Sequence, residues 1–317
     1  ARVVVSRFAK LAVATVAATL LLIGLGGLVR ATDSGLGCPD WPGCYGKVLP
    51  PPGDAHAWIE HIHRYWAGVV VLLLVWLALE ARRSGQPIAV RRVTLFGLIP
   101  IVAMQALLGA LVVWIKLHWV SVSSHLALAL SILGLATWVA VDALRREGRL
   151  RAGGEGSPSL QTFTAVTAGL VFVQMILGSL VTGFNAGMAY ETFPSFNNRA
   201  VPQFTKGFVW PQSLHVGHRL VAFVLLAGVL AFVLRSRRPD VATVVRRAAL
   251  LALALVVVQI ILGVLNLRYE LSAWTVVPHL VVGASLWVTM LVAAFCSRAS
   301  LPAVVDIDET RAIVSTP

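Results

Sequence analysis

Long apolar stretches alternate with short polar segments along the whole chain. Each stretch runs for about 20 residues, the length at which an α-helix crosses the hydrocarbon core of a bilayer. The pattern predicts an all-α integral membrane protein with eight transmembrane helices. The predicted spans are residues 10–29, 62–80, 93–114, 122–144, 161–183, 214–234, 248–267 and 276–296.

Composition supports this class, and the charge distribution argues against another. Hydrophobic residues make up 58% of the chain and charged residues 13%, whereas a soluble domain is about half apolar and a quarter charged. The net charge of +12 raises the alternative of a nucleic-acid-binding protein. Most of the 26 lysine and arginine residues, however, fall on one side of the predicted membrane. This positive-inside bias places both termini in the cytoplasm and makes membrane lipid, not nucleic acid, the expected neighbour.

The two halves of the chain carry the same motifs in the same order. A Gln-x-x-x-Gly motif on the third and seventh helices precedes a histidine on the next helix, and a His-Arg pair begins the second and sixth helices. The matching positions are Gln105 and Gln259, His125 and His279, and His63-Arg64 and His218-Arg219. Such order predicts an internal repeat, here two parallel-repeat four-helix bundles. The expected boundaries are residues 1–150, residues 151–300 and a polar cytoplasmic tail at residues 301–317.

Histidines cluster at one side of the membrane. All eight fall in outer loops or in the outermost turns of helices. A single histidine there has the alternative of reaching interfacial water, but four form two equivalent pairs, His63 with His125 and His218 with His279. Two imidazoles on facing helices suit the axial positions of haem iron, whereas structural zinc sites use four ligands at closer spacing. We therefore expect one haem in each half, toward the outer face.

Three arginines lie at the same level as these pairs. Arg64 and Arg219 directly follow a predicted ligand, and Arg30 closes the first helix. Since arginine binds carboxylates bidentately, the three are candidates for the haem propionates. The alternative is that they snorkel to the membrane interface.

One carboxylate distinguishes the two halves. Glu60 lies three residues before His63 on the same helix face, and His215 takes the matching position in the second half. Glu60 either caps its helix or serves acid–base or nucleophilic chemistry beside one haem. The second interpretation makes the first-half haem a substrate or reactive centre and the second-half haem a permanent cofactor.

Two cysteines in the first outer loop are expected to pair. Cys38 and Cys44 bracket Pro-Asp-Trp-Pro-Gly, and neighbouring cysteines outside the cytoplasm tend to form a disulfide. The bond is either structural or, if strained and exposed, redox-active. Cys296 is expected to be a small apolar residue at the inner end of the last helix.

These motifs resemble a known family. The segment Gly-Gly-Leu-Val-Arg-Ala-Thr-Asp-Ser-Gly-Leu-Gly-Cys-Pro-Asp-Trp-Pro-Gly-Cys at residues 26–44, followed by Glu60-x-x-His63-Arg64 and His218-Arg219, resembles haem A synthase. The resemblance covers nearly the whole chain. It implies that a ring methyl group of haem O is oxidised to a formyl group, giving haem A for terminal oxidases.

The resemblance also implies residue roles. Haem O would lie between His63 and His125, with Glu60 as the catalytic residue. The cofactor, haem b, would be ligated by His218 and His279. Cys38 and Cys44 would relay electrons or aid haem transfer.

The resemblance further implies a setting in the bacterial cell membrane. Expected partners are haem O synthase, terminal oxidase assembly and a quinone or other electron acceptor. Two alternatives stay open: a two-haem membrane cytochrome that passes electrons between quinone and an outer partner, and a haem transporter or chaperone.

Overall fold

The computed structural model describes residues 5–150 and 158–298. Eight helices in these residues are long and apolar enough to span a membrane, and the described residues contain no β-strand. They are α1 (Arg7–Ala31), α2 (Ala55–Arg83), α3 (Ile88–Trp114, with a π-helical turn at Val93–Leu98), α4 (Trp119–Arg146), α5 (Pro158–Gly183), α6 (Val209–Ser236), α7 (Thr243–Arg268) and α8 (Ala273–Cys296). The predicted fold class, an all-α multi-pass membrane protein, is confirmed. The predicted tail at residues 301–317 and the start of the predicted second half at 151–157 lie outside the described residues.

The helices begin earlier than the apolar stretches that predicted them, and at α1 and α2 a polar residue caps the first turn. The Asp54 carboxylate accepts a hydrogen bond from the Ala57 N–H at 3.0 Å, so α2 begins at Ala55. The Ser6 hydroxyl does the same for α1 through the Ala9 N–H at 3.1 Å. Such caps satisfy donors that a helix start leaves unpaired. The predicted ligands therefore lie about two turns inside their helices rather than at the start.

Helices contact each other in the same order in both halves. Helix α1 contacts α2 and α4, and α3 contacts α2 and α4. Likewise α5 contacts α6 and α8, and α7 contacts α6 and α8. The halves meet where α1 packs on α8, α4 on α5, and α4 on α8. The two-repeat arrangement and its domain boundaries stay an interpretation, which these matching contacts support.

Apolar side chains fill each half and the seam between them. Leu74 is buried in the first half and Phe232 in the second, while Leu130 and Ala284 are fully buried at the seam. Large apolar side chains also face outward, such as Leu72, which is 70% exposed. An outward apolar surface on long helices is what a bilayer requires.

Candidate functional site

Each predicted first-half ligand packs against a glycine on the preceding helix. A β-carbon at Gly26 of α1 would lie 3.1 Å from His63 Cε1, and one at Gly109 of α3 would lie 3.2 Å from His125 Cε1. These separations are shorter than ordinary contacts, so a glycine at each position lets the imidazole lie directly on the neighbouring helix. His63 and His125 are close enough to interact electrostatically. The structure thus brings the first predicted pair together.

The second pair repeats this arrangement. A β-carbon at Gly178 of α5 would lie 3.1 Å from His218 Cε1, and one at Gly263 of α7 would lie 3.6 Å from His279 Cε1. The rings of His218 and His279 have centroids 6.5 Å apart. When two imidazoles bind the same metal ion from opposite sides, each at about 2 Å, their ring centres lie about 6 Å apart. The spacing of this pair therefore fits two imidazoles that would hold one haem iron.

Partly buried glutamines donate hydrogen bonds to the main chain at two of the four histidines. The Gln105 side-chain amide donates to the His125 main-chain oxygen at 3.0 Å, and that of Gln174 donates to the His218 oxygen at 2.8 Å. Our sequence interpretation missed Gln174. The signal was present, since Gln174 and Gly178 form a third Gln-x-x-x-Gly motif. It marks the helix that supports the next ligand.

Glu60 is buried, and both of its oxygens are held. Its side chain is 5% exposed; Oε1 lies 2.5 Å from Arg64 Nη2, and Oε2 accepts the Cys38 N–H at 2.9 Å. The alternative that Glu60 caps α2 is wrong, because Asp54 is the capping residue. A carboxylate fixed by an N–H group and a guanidinium is oriented without a helix-capping duty.

Arg64 also anchors the first outer loop. Its Nη1 donates to the main-chain oxygens of Asp40 at 2.8 Å and Gly43 at 2.6 Å, and its Nη2 lies 3.3 Å from that of Cys38. The same guanidinium therefore joins the loop, α2 and Glu60. The sequence did not predict this role, because main-chain acceptors leave no signature in the sequence.

Arg219 anchors the third outer loop in the same way. Its Nη1 donates to the main-chain oxygens of Thr192 at 2.9 Å and Ser195 at 3.2 Å, and its Nη2 donates to the main-chain oxygen of Tyr190 at 2.7 Å. In place of a carboxylate, Nε donates to His215 Nε2 at 3.1 Å. His215 thus accepts as a neutral ring nitrogen, and the described residues give Arg219 no acidic partner.

The two anchored loops share their local structure. Each has a cis proline, Pro42 or Pro194, followed by a short antiparallel bridge, Cys44 with Lys47 or Phe196 with Arg199. Where the first loop has the cysteine pair, the third has Tyr190 and Phe196, whose rings meet edge to face at 5.1 Å. The two loops thus share a backbone structure but hold different side chains at the matching positions.

The predicted disulfide between Cys38 and Cys44 is present, and its surroundings differ from the expectation. Both residues are fully buried, so the redox-active alternative loses the exposure on which it was argued. Neighbouring His61 is 3% exposed, and its role was not assigned from the sequence. Cys296 is buried and unpaired, as expected of a small apolar residue.

Arg30 differs from the other two arginines. Its side chain is 36% exposed in the last turn of α1, and its Nη1 lies 3.3 Å from the exposed Asp33 carboxylate. An exposed ion pair of this kind contributes little and exchanges readily. Among the three propionate candidates, Arg30 has the guanidinium most free to take a new partner.

Comparison with known proteins agrees with this geometry. A family model described as cytochrome oxidase assembly protein, COX15-CtaA, matches residues 9–291. A haem A synthase of Shewanella oneidensis is 28% identical, with 84% of this chain and 89% of that protein covered. Haem A synthases of Granulibacter bethesdensis (30% identical; 89% and 84% covered) and Erythrobacter litoralis (29%; 86% and 92%) are similar to the same extent. The chain therefore belongs to the COX15-CtaA family, the family of the haem A synthases.

Proposed function

We propose that this chain oxidises haem O to haem A in the membrane. One observation carries the proposal: a buried carboxylate, Glu60, lies one helical turn from His63, while the second half has His215 at the matching position. Two sites built alike but differing in one acidic group suit one reacting haem and one permanent haem. The relatives named haem A synthase support the same reaction.

The two histidine pairs take separate roles in this proposal. His63 and His125 hold the substrate, haem O, and His218 and His279 hold haem b. The fit of haem b rests on the 6.5 Å spacing of the second pair. Haem b bound there would supply one-electron redox chemistry. Glycine contacts and the Gln105 and Gln174 amides orient the ligands.

Glu60 acts on the substrate methyl group. Conversion of a methyl to a formyl group takes up one water and releases four electrons and four protons. Positive charge that develops at the methyl carbon is stabilised by a fixed carboxylate, and the same oxygen atoms accept a proton from the incoming water. The Cys38 N–H and Arg64 hold Glu60 in place, so the group requires little reorganisation during the reaction.

Arginine roles and membrane orientation complete the proposal. Arg30 meets a propionate of the substrate, while Arg64 and Arg219 act chiefly as loop anchors and reach a propionate only at the expense of existing hydrogen bonds. Both termini lie in the cytoplasm of a bacterial cell and the haem sites face outward. Haem O synthase supplies the substrate, terminal oxidase assembly consumes the product, and a quinone accepts the electrons.

The test is the haem content of the purified chain. The protein is expressed in a bacterium with and without a co-expressed haem O synthase, and the extracted haems are separated by chromatography. We expect haem b in both preparations and haem A only when haem O is supplied. Haem b alone, with haem O present and unchanged, would contradict the proposal and favour the two-haem cytochrome.

A further inference from the structure

A buried cluster of two sulfurs and one imidazole lies beside the substrate site and has no part in the proposed reaction. One ring nitrogen of His61 and the Sγ atoms of Cys38 and Cys44 lie within 4.8 Å of one another. Neither ring nitrogen of His61 makes a hydrogen bond to a described residue, although the side chain is 3% exposed. Buried polar groups are normally paired, so an unpaired imidazole aimed at two sulfurs calls for a ligand.

The second half provides an internal comparison. The positions that match Cys38 and Cys44 hold Tyr190 and Phe196, and the position after His215 holds Val216, where the first half has His61. The anchored loop keeps its shape in both halves, with the same bridge and the same arginine clamp. All three donor side chains are therefore dispensable for the loop structure, and they occur together in one half.

We propose that Cys38, Cys44 and His61 form a binding site for one Cu(I) ion when the disulfide is reduced. A dithiol reductant donates two electrons and two protons to the S–S bond and becomes a disulfide itself, leaving two cysteine thiols. One Cu(I) ion then displaces both thiol protons and binds two thiolates and one neutral imidazole nitrogen. The copper ion keeps its oxidation state throughout.

Cu(I) fits this ligand set better than Zn(II). Metal–thiolate and metal–imidazole bonds of about 2.3 and 2.0 Å place the ligand atoms of a three-coordinate ion about 4 Å apart. The His61 ring nitrogen already lies within 4.8 Å of each sulfur, and the two sulfurs, now bonded to each other, can move apart once the disulfide is reduced. Zinc requires a fourth ligand. Solvent does not reach the two cysteines, which are fully buried, and the nearby Glu60 carboxylate is already held by Arg64 and the Cys38 N–H. Thiolate ligands favour soft ions such as Cu(I), which also binds imidazole and forms stable three-coordinate sites.

The first experiment uses the full-length wild-type protein in detergent. Cu(I) is supplied from a bathocuproine disulfonate buffer to the oxidised protein and to protein reduced with a phosphine, and bound copper is counted by mass spectrometry. We expect one Cu(I) per reduced chain and none on the oxidised chain, with an X-ray absorption spectrum of two sulfurs and one nitrogen. Equal copper on both forms, two sulfurs without nitrogen, or displacement of Cu(I) by equimolar Zn(II) would overturn the assignment.

Variants then test the imidazole. His61→Phe keeps a ring of similar shape and is expected to weaken Cu(I) binding to the reduced protein by about tenfold or more. The matched control is His56→Ala, an exposed histidine near the start of the same helix, which should bind Cu(I) like wild type. Unchanged affinity in His61→Phe would overturn the role of His61. The measurement needs neither haem O nor haem A, so its failure leaves the proposed reaction untouched.

Discussion

The two halves of this protein share a frame and differ in the groups that the frame holds. In each half an arginine one residue after a predicted ligand binds main-chain oxygens of an outer loop. In the first half that arginine pairs with Glu60, whereas in the second it pairs with neutral His215. The anchoring arginine binds the outer loop in both halves, and the residue that it pairs with, Glu60 or His215, determines the net charge beside the predicted ligand. The positive charge of Arg64 near the first site is therefore neutralised by Glu60. The positive charge of Arg219 near the second site has no such acidic partner among the described residues.

Removal of an axial ligand should separate the halves most strongly. His218→Ala is expected to lose haem b, because loss of a ligand exceeds the 10–100-fold effect of losing its supporting groups. His63→Ala should keep the haem b spectrum and lose haem A. Absorption spectra and haem extraction of the two purified variants check this. Loss of the same haem from both variants would contradict separate sites.

The anchoring arginines should differ in what their loss leaves behind. Arg64→Gln strands a buried carboxylate and is expected to destabilise the protein by about 3–5 kcal/mol. Arg219→Gln leaves neutral oxygens and an imidazole, so we expect about 1–3 kcal/mol. Thermal unfolding in detergent measures both. Arg146→Gln, which removes a partly exposed pair with Asp142 on the same protein, is the control and should change stability by less than about 1 kcal/mol. Equal losses of stability in Arg64→Gln and Arg219→Gln would contradict the claim that only Arg64 neutralises a buried charge.

The glycine contacts predict a smaller, graded effect within the second half. Gly178→Ala places a methyl group 3.1 Å from His218 Cε1, whereas Gly263→Ala places one 3.6 Å from His279 Cε1, an ordinary contact. We expect several-fold lower haem b occupancy in Gly178→Ala and near wild-type occupancy in Gly263→Ala. The ratio of haem absorbance to protein absorbance gives the comparison. A reversed order would mean that the ligands are not seated on these glycines.

The smallest effect concerns acid sensitivity of the loops. Hydrogen bonds from the Gly46 and Tyr45 N–H groups, each at 2.6 Å, with nearby Arg64, hold the pKa of the Asp40 carboxyl below its ordinary value of 3.8. A lowered folded-state pKa contributes stability that is fully present above the unfolded value and is lost as the pH falls through the folded value. The first loop should therefore loosen below about pH 3.8, and Asp40→Asn should abolish that step. Thr192 replaces Asp40 in the third loop, which should show no such step. Hydrogen exchange of the two loops at low pH measures the difference.

Much of the fold could be predicted from hydropathy, and the site only in part. Eight apolar stretches were enough for eight helices, since backbone groups in a bilayer must bond internally. Helix starts were placed too late because capping residues such as Asp54 are polar and fall outside the apolar windows. Histidine pairs were visible as a repeated motif. Gln174 was also visible as a motif and was missed.

The arginine anchors could not be predicted. Arg64 and Arg219 bind main-chain oxygens, and any residue supplies those, so no motif marks the acceptors. Burial of Cys38 and Cys44 likewise depends on how the loop folds onto α2. Contacts of this kind follow from tertiary packing rather than from residue spacing.

The most direct test of the central claim compares Glu60→Gln with His215→Gln, two changes at matching positions. Each variant is expressed with a haem O synthase, and its extracted haems are quantified. We predict that Glu60→Gln contains haem b and unreacted haem O with at least about a hundredfold less haem A, while His215→Gln still makes haem A. Wild-type amounts of haem A from Glu60→Gln, or equal loss from both variants, would contradict the assignment of the chemistry to the first half.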